Sequence, residues 1–163
     1  MIKAFNKLIE HLYFKQEGNL ALYDRLTGVF NYNWFNLLGN KKYVNAAIYV
    51  TVIDINNFKE INDTHGHLHG NNILKQVAHQ LLYCKNFDES INVIRYGGDE
   101  FVVLSESDPT SLLNSCVEST DLISFGIVKK EEYEPLSVAF VKADKAMYEH
   151  KKQFKKKNND KRA

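Results

Sequence analysis

Phe5, Leu8, Ile9, Leu12 and Tyr13 recur at the i, i+3, i+4, i+7, i+8 spacing of one helical face, which predicts an opening amphipathic helix that ends near Gly18. Asp24 to Gly28 (DRLTG) reads as a turn, and Tyr32 to Leu38 as a short helix stopped by Gly39 and Asn40. Ala46 to Ile53 (AAIYVTVI) is β-branched and almost wholly apolar, the mark of a central strand, and it ends in the acidic Asp54. A loop is expected from about Asn57 to Gly70, followed by a second amphipathic helix on Ile73, Leu74, Val77, Ala78, Leu81 and Leu82. Ile91 to Arg95 and Phe101 to Leu104 flank Gly97 and Gly98, and adjacent glycines between β-prone runs predict a hairpin whose turn needs positive φ. Pro109 and Thr110 open a short helix, Leu122 to Val128 reads as a strand, and Ser137 is placed to cap a last helix that runs into the lysine-rich end. The order α, α, β, α, β, β, α, β, α points to an α+β sheet with helices over one face.

A length of 163 residues suits one domain with its own core, and 44% hydrophobic with 25% charged residues excludes a disordered chain and a bilayer-spanning one. Lys3, Lys7, Glu10 and His11 interrupt the apolar N-terminus in a way a secretory segment would not tolerate, so the expected location is cytoplasmic. Cys84 and Cys116 stand far apart without a CxxC spacing and read as small core residues. Charge is uneven: from Lys151 onward seven basic residues face Asp160 alone, a net of +6, which leaves −5 for the rest. Such a tail would attract a polyphosphate, a nucleic acid or a membrane surface, or would simply be a solvated end.

The chemistry-bearing residues are acidic. Asp54 terminates the apolar strand and Asp99 with Glu100 occupies the hairpin, so that if the two strands are neighbours their carboxylates converge at one sheet end. Hard oxygen ligands of this kind suit magnesium and phosphoryl transfer. From spacing alone, ordinary turn acids remain the better account.

Arg95-Tyr96-Gly97-Gly98-Asp99-Glu100-Phe101 resembles the RYGGDEF signature of GGDEF-domain diguanylate cyclases. Asp24 with Leu26-Thr27-Gly28 is similar to that family's DxLTG turn, and the run from Asp54 to Asp63 with Gly66-His67 and Gly70 to its DxDxFKxINDxxGHxxGD. Ser124-Phe125-Gly126-Ile127 resembles its SxGIA strand, and Ala143-Asp144, Ala146-Met147-Tyr148 and Lys151 its ADxALYxAK helix. The likeness runs from residue 24 to about 155. It implies a ferredoxin-like, palm-type sheet containing antiparallel strands with helices packed on it, as in nucleotidyl cyclases. The expected division is an N-terminal helix over 1–20, a catalytic domain over 21–157 and a basic tail over 158–163, with no sensor domain ahead.

The resemblance also implies an activity: magnesium-dependent condensation of two nucleoside triphosphates, normally two GTP to cyclic di-GMP and two pyrophosphates. Each protomer of a homodimer holds one nucleotide, and manganese would serve in place of magnesium. Asp54, the Ile55 carbonyl and Asp99 would hold two metal ions, with Glu100 completing the shell or assisting the 3′-hydroxyl. Asn57 and Phe58 through their backbones, with Lys59, Lys151 and Lys155, would cradle the triphosphate, and Asn62 and Asn71 would meet the base. Neither DNA, RNA nor membrane is an implied partner.

The chain also departs from the family pattern. Asn56 replaces the second aspartate of DxD, and Asn71 the base-reading aspartate. An amide offers one acceptor and one donor where a carboxylate accepts twice, so an adenine-containing product is an alternative. Lys155 stands for arginine and loses the bidentate fork. The RxxD product-inhibition motif is here Asp88-Glu89-Ser90-Ile91, so feedback through that site is not expected, and the segment from Leu104 to Leu122 is short for the family. A non-catalytic nucleotide-binding module is the reading from another class. His65, His67 and His69 alternate, but no Cys or Glu completes a zinc set. The aromatic residues, with Trp34 beside Phe35, read as core and not as a base-stacking surface. The opening helix would either support the dimer or pack on its own domain.

Overall fold

The computed structural model describes residues 22–116 and 122–160; the helix expected over Phe5 to Tyr13 lies outside the described residues, as do Lys161 and Arg162. The elements run β1 (Phe30–Asn31), a helical stretch α1 over 32–42, β2 (Ile48–Ile55), α2 (Phe58–His65), α3 (His67–Cys84), β3 (Asn92–Gly97), β4 (Glu100–Ser105), α4 (Thr110–Cys116), β5 (Ile123–Lys130) and α5 (Leu136–Asp160). One five-stranded sheet has the order β1-β3-β4-β2-β5, antiparallel except for the β1–β3 pair.

β2 lies inside the sheet, and of its eight residues only Tyr49 is not fully buried. Alternate side chains serve two layers. Ile48, Val50 and Val52 meet Leu136, Ala139 and Ala143 of α5 together with Trp34 and Phe35 of α1. Ile53 and Ile55 meet Leu74, Val77, Ala78 and Leu81 of α3. Helices therefore cover both faces, and the expectation of one covered face is corrected: a strand apolar on both sides must bury both. Cys84, 1% exposed, belongs to the α3 layer.

Three local expectations also change. The predicted loop from Asn57 to Gly70 holds α2 and the first turn of α3, separated by Gly66 at φ 83°, ψ 159°, a backbone region reserved for glycine. No α2 residue is fully buried, and in eight residues its apolar side is only Phe58 and Ile61, too short a pattern for periodicity to find. Gly39 and Asn40 do not stop α1, which passes through a π turn at Phe35–Gly39 and continues to Lys42. Gly39 sits there with helical φ against Trp34 and Leu136. Ser137 lies within the first turn of α5, whose start is set by Pro135, its carbonyl accepting from Val138 N–H at 3.0 Å.

Gly126 shows how closely α5 approaches the edge strand β5. A Cβ there would collide with backbone atoms of Ala143, Ala146 and Met147, none of which can swing aside. Gly126→Ala is expected to cost about 3 kcal/mol, read as a lowered urea midpoint at unchanged m-value. A midpoint equal to wild type would mean that α5 is not seated on β5 at this point.

Candidate active site

Asp54 is the penultimate residue of β2, in register with Glu100 at the start of β4 on one side and with Ser124 of β5 on the other. The neighbour relation between β2 and β4 brings the strand-end acid beside the hairpin acids. Glu100 pairs back to Gly97, leaving Gly98 and Asp99 as a two-residue turn with Gly98 at φ 46°. Of the two adjacent glycines, Gly98 is the one whose positive φ the turn uses. The turn is sewn to β2 by Ile55 N–H donating to the Asp99 carbonyl at 3.3 Å.

Arg95 fixes the turn from behind. Its Nε and Nη2 donate to the Gly98 carbonyl at 3.0 and 2.7 Å, and its Nη1 reaches both Asp24 oxygens at 3.1 Å. Asp24 Oδ1 also accepts from Thr27 N–H and Oγ1–H at 2.9 and 2.7 Å, and Gly28 closes that loop at φ 76°. Burial pushes the Asp24 carboxyl up, but the bonds from Thr27 and Arg95 together outweigh it and hold the group below its ordinary value. This contribution to stability is present above the unfolded carboxylate range and is lost as pH falls through the lowered value. Asp24→Ala is expected to cost about 2 kcal/mol. Arg95→Ala should cost a similar amount and the double variant little more, because the two act as one unit; simple additivity in urea melts would contradict that.

A groove of about 440 Å³ opens beside these acids, lined by Ile55 and Asp99 on the sheet side. Asn57, Phe58 and Lys59 line it from the start of α2, and Lys151 and Lys155 from α5. Asn57 adopts φ 56°, a left-handed turn that ends β2 and launches α2 toward the groove. Seven expected site residues thus meet in one place. Glu60 and Asp63 line the groove as well and were not expected; their place follows from α2, which the pattern does not reveal.

Asn62 and Asn71 lie at the α2–α3 junction. The Asn62 side chain lies against Gly70, and a Cβ on Gly70 would strike its amide. Asn62 Oδ1 is buried with no hydrogen-bond partner, an acceptor that invites an N–H donor. Asn71 follows Gly70 directly, half-buried. Asn56 has a different place from its sequence neighbours. It is 4% exposed, its Oδ1 accepts from Ser124 Oγ–H at 2.7 Å, and its N–H donates to Leu122 O at 2.8 Å. Asn56 therefore ties β2 to β5.

The electrostatics of the three acids are lopsided. Burial, then the charge of Asp54, pushes the Asp99 carboxyl up. Burial, then Asp54, Asp144 and Asp99, does the same to Glu100. The Lys151 ammonium is paired with Asp54 at 2.5 Å. Among the described residues no three His, Cys, Asp or Glu side chains form a metal-binding group, His65, His67 and His69 included. Carboxylates gathered at one sheet end, beside a groove that Lys59, Lys151 and Lys155 help to line, suit a magnesium ion whose shell is completed by phosphate oxygens. At the RxxD position Asp88 stands for the arginine, its Oδ1 accepting from Ser90 N–H at 2.9 Å, and Ile91, 1% exposed and in the core, stands for the aspartate.

Comparisons agree with this geometry. The family described as "Diguanylate cyclase, GGDEF domain" matches residues 21–120. Diguanylate cyclase DgcP of Escherichia coli (strain K12) is 33% identical over 177 aligned residues, covering 91% of this chain and 50% of that protein. Cyclic di-GMP phosphodiesterase PdeR of the same organism is 32% identical, covering 79% of this chain and 22% of that protein. The chain thus spans half or less of these curated relatives. Among solved structures, the coiled coil and GGDEF domain of DgcB from Caulobacter crescentus, in complex with c-di-GMP, superposes with TM-score 0.70 at 22% identity, covering 93% of this chain and 91% of that one. No helix among the described residues is long and apolar enough to cross a membrane. On the matched length, the signature hairpin and the fold, the chain belongs to the GGDEF-domain family of diguanylate cyclases.

Proposed function

We propose that the chain condenses two nucleoside triphosphates, in the simplest case two GTP, into a cyclic dinucleotide across the interface of two copies of itself. The observation that carries this reading is the meeting of Asp54, Asp99 and Glu100 at one sheet end with a groove whose other walls are Lys59, Lys151, Lys155 and the start of α2. Each 3′-hydroxyl oxygen forms a bond to the α-phosphorus of the other nucleotide, the bond to the bridging oxygen of the β-phosphate breaks, and pyrophosphate leaves with that electron pair. The 3′-hydroxyl proton passes to a carboxylate, for which Glu100, its proton affinity raised by burial, is the best placed group. Lys59, Lys151 and Lys155 bind the triphosphate, and N–H groups at the start of α2 add to that cradle. Magnesium, held by Asp54, Asp99 and the Ile55 carbonyl, would neutralise charge developing on the phosphates. The catalytic unit is residues 21–157, and an enzyme drawing on GTP works in the cytoplasm.

The test is the purified chain with magnesium and GTP, ATP or both, products resolved by mass, at a series of dilutions. Cyclic dinucleotide with specific activity that falls on dilution is expected, because each copy supplies half of the reaction. Nucleotide binding without product would favour the non-catalytic module, and constant specific activity in a demonstrated monomer would refute the two-copy mechanism.

A further inference from the structure

Lys151 lines the groove on the side assigned to phosphate, yet its ammonium is engaged elsewhere. Nζ stands 2.5 Å from Asp54 Oδ1, with the two side chains 24% and 10% exposed. An ammonium at that distance is the counter-ion of the carboxylate and fills lone-pair directions on Oδ1 that a metal ion would need. Among the described residues this is the one ion pair of Asp54. Glu100 stands opposite Asp54 across the β2–β4 register, so a second carboxylate shares this sheet end. The backbone carrying Lys151 is anchored: its neighbour His150 accepts the Phe125 N–H on Nδ1 at 3.1 Å, which clips this turn of α5 to the free edge of β5. A change of partner therefore falls to the lysine side chain and not to the helix.

We propose that Lys151 is a resident counter-cation that keeps metal off Asp54 until a nucleotide draws the ammonium onto its phosphates, so that metal and nucleotide enter the site as a pair. The inference rests on the nucleotide-binding reading above and adds an order to it. Without nucleotide Lys151 neutralises Asp54. With nucleotide present the phosphates offer the ammonium a more highly charged partner, Oδ1 is vacated, and the incoming divalent ion gains both the carboxylate and the phosphate oxygens. By linkage each ligand then strengthens the other's binding by the same factor.

Binding of manganese ion to the full chain, followed by electron paramagnetic resonance, tests this directly, first without nucleotide and then with a GTP analogue whose α,β bridge cannot be cleaved. In the unsubstituted chain the analogue should tighten manganese binding at least tenfold. Lys151→Met should tighten nucleotide-free manganese binding by about tenfold or more, since an opposite charge at contact distance shifts a carboxylate's affinity for cations by roughly 1–3 log units. Lys155→Met, which removes a groove lysine not paired with Asp54, should leave nucleotide-free binding unchanged. The proposal is overturned if folded Lys151→Met binds manganese no better than wild type without nucleotide. Should that variant not fold, the lysine side-chain 15N resonance that Asp54→Asn abolishes must move when metal-free analogue is added; an unmoved resonance overturns the proposal equally. Failure of these arms with cyclic dinucleotide still produced sinks the counter-cation role alone, whereas no manganese binding with the analogue and no product sinks the nucleotide reading with it.

Discussion

Asp99→Asn is expected to lower product formation by a factor of about 10³ or more, the usual scale for removing a charge that meets the transition state in phosphoryl and acyl transfer. The same change should raise Tm by about 1–2 °C. The two effects have opposite signs for one reason. Asp99 is partly desolvated and lies in the field of Asp54, which is what raises its carboxyl, so its charge in the resting protein is a cost. Asparagine keeps the shape and removes the charge, and solvent screening at this half-exposed turn keeps the gain small. A variant that is both active and unchanged in Tm would sink the assignment of Asp99 to the reacting end of the groove.

The pH profile of stability follows from the same residues. For Asp99 and Glu100 the folded values lie above the unfolded ones, so the penalty is fully present at neutral pH and is relieved as pH falls through the raised values. For Asp24 the folded value is lowered, so its contribution disappears at the acid end. Thermal melts should therefore show Tm rising on mild acidification and collapsing below the ordinary carboxylate range. In Asp99→Asn the rise should be smaller.

Much of this was legible in the chain because single residue types fix single geometries. Gly98 between β-prone runs gave the hairpin, and the apolar run before Asp54 gave the buried strand whose end holds it. Their convergence depended on strand order, which no local pattern contains: β4 lies between β3 and β2, and that alone sets Glu100 opposite Asp54. The helix over Phe58–His65 was illegible because it buries nothing fully; it shapes a groove and adds little core. Arg95 was visible as part of a signature, but its bond to Asp24, 71 residues away in sequence, appears only in three dimensions. Asn56 shows the reverse case. Read along the chain it is a departure from the second aspartate of DxD, whereas in the fold it is a buried amide bonded to Ser124, and a carboxylate there would need further donors.

Asn71→Asp is expected to shift product toward pure cyclic di-GMP and to raise the preference for GTP over ATP by about 10- to 100-fold, the discrimination carried by one good bidentate contact to a base edge. Asn62 alone cannot supply that choice. Its buried, unpartnered Oδ1 is an acceptor, and both guanine and adenine present an N–H donor to meet it. Its amide lies against the bare backbone of Gly70, so Gly70→Ala, which pushes a methyl into the amide, should weaken both nucleotides together. On the proposed reading Asn71, which follows Gly70, is the residue that decides between them. An amide can turn to offer donor or acceptor and so leaves no buried polar atom unpaired with either base, whereas a carboxylate accepts twice and rejects a base that cannot donate twice. At equimolar GTP and ATP the unsubstituted chain should then incorporate adenine, giving mixed or all-adenine product that Asn71→Asp suppresses. Cyclic di-GMP as the sole product under those conditions, unchanged by Asn71→Asp, would place base choice with Asn62 and the backbone and would remove Asn71 from the site.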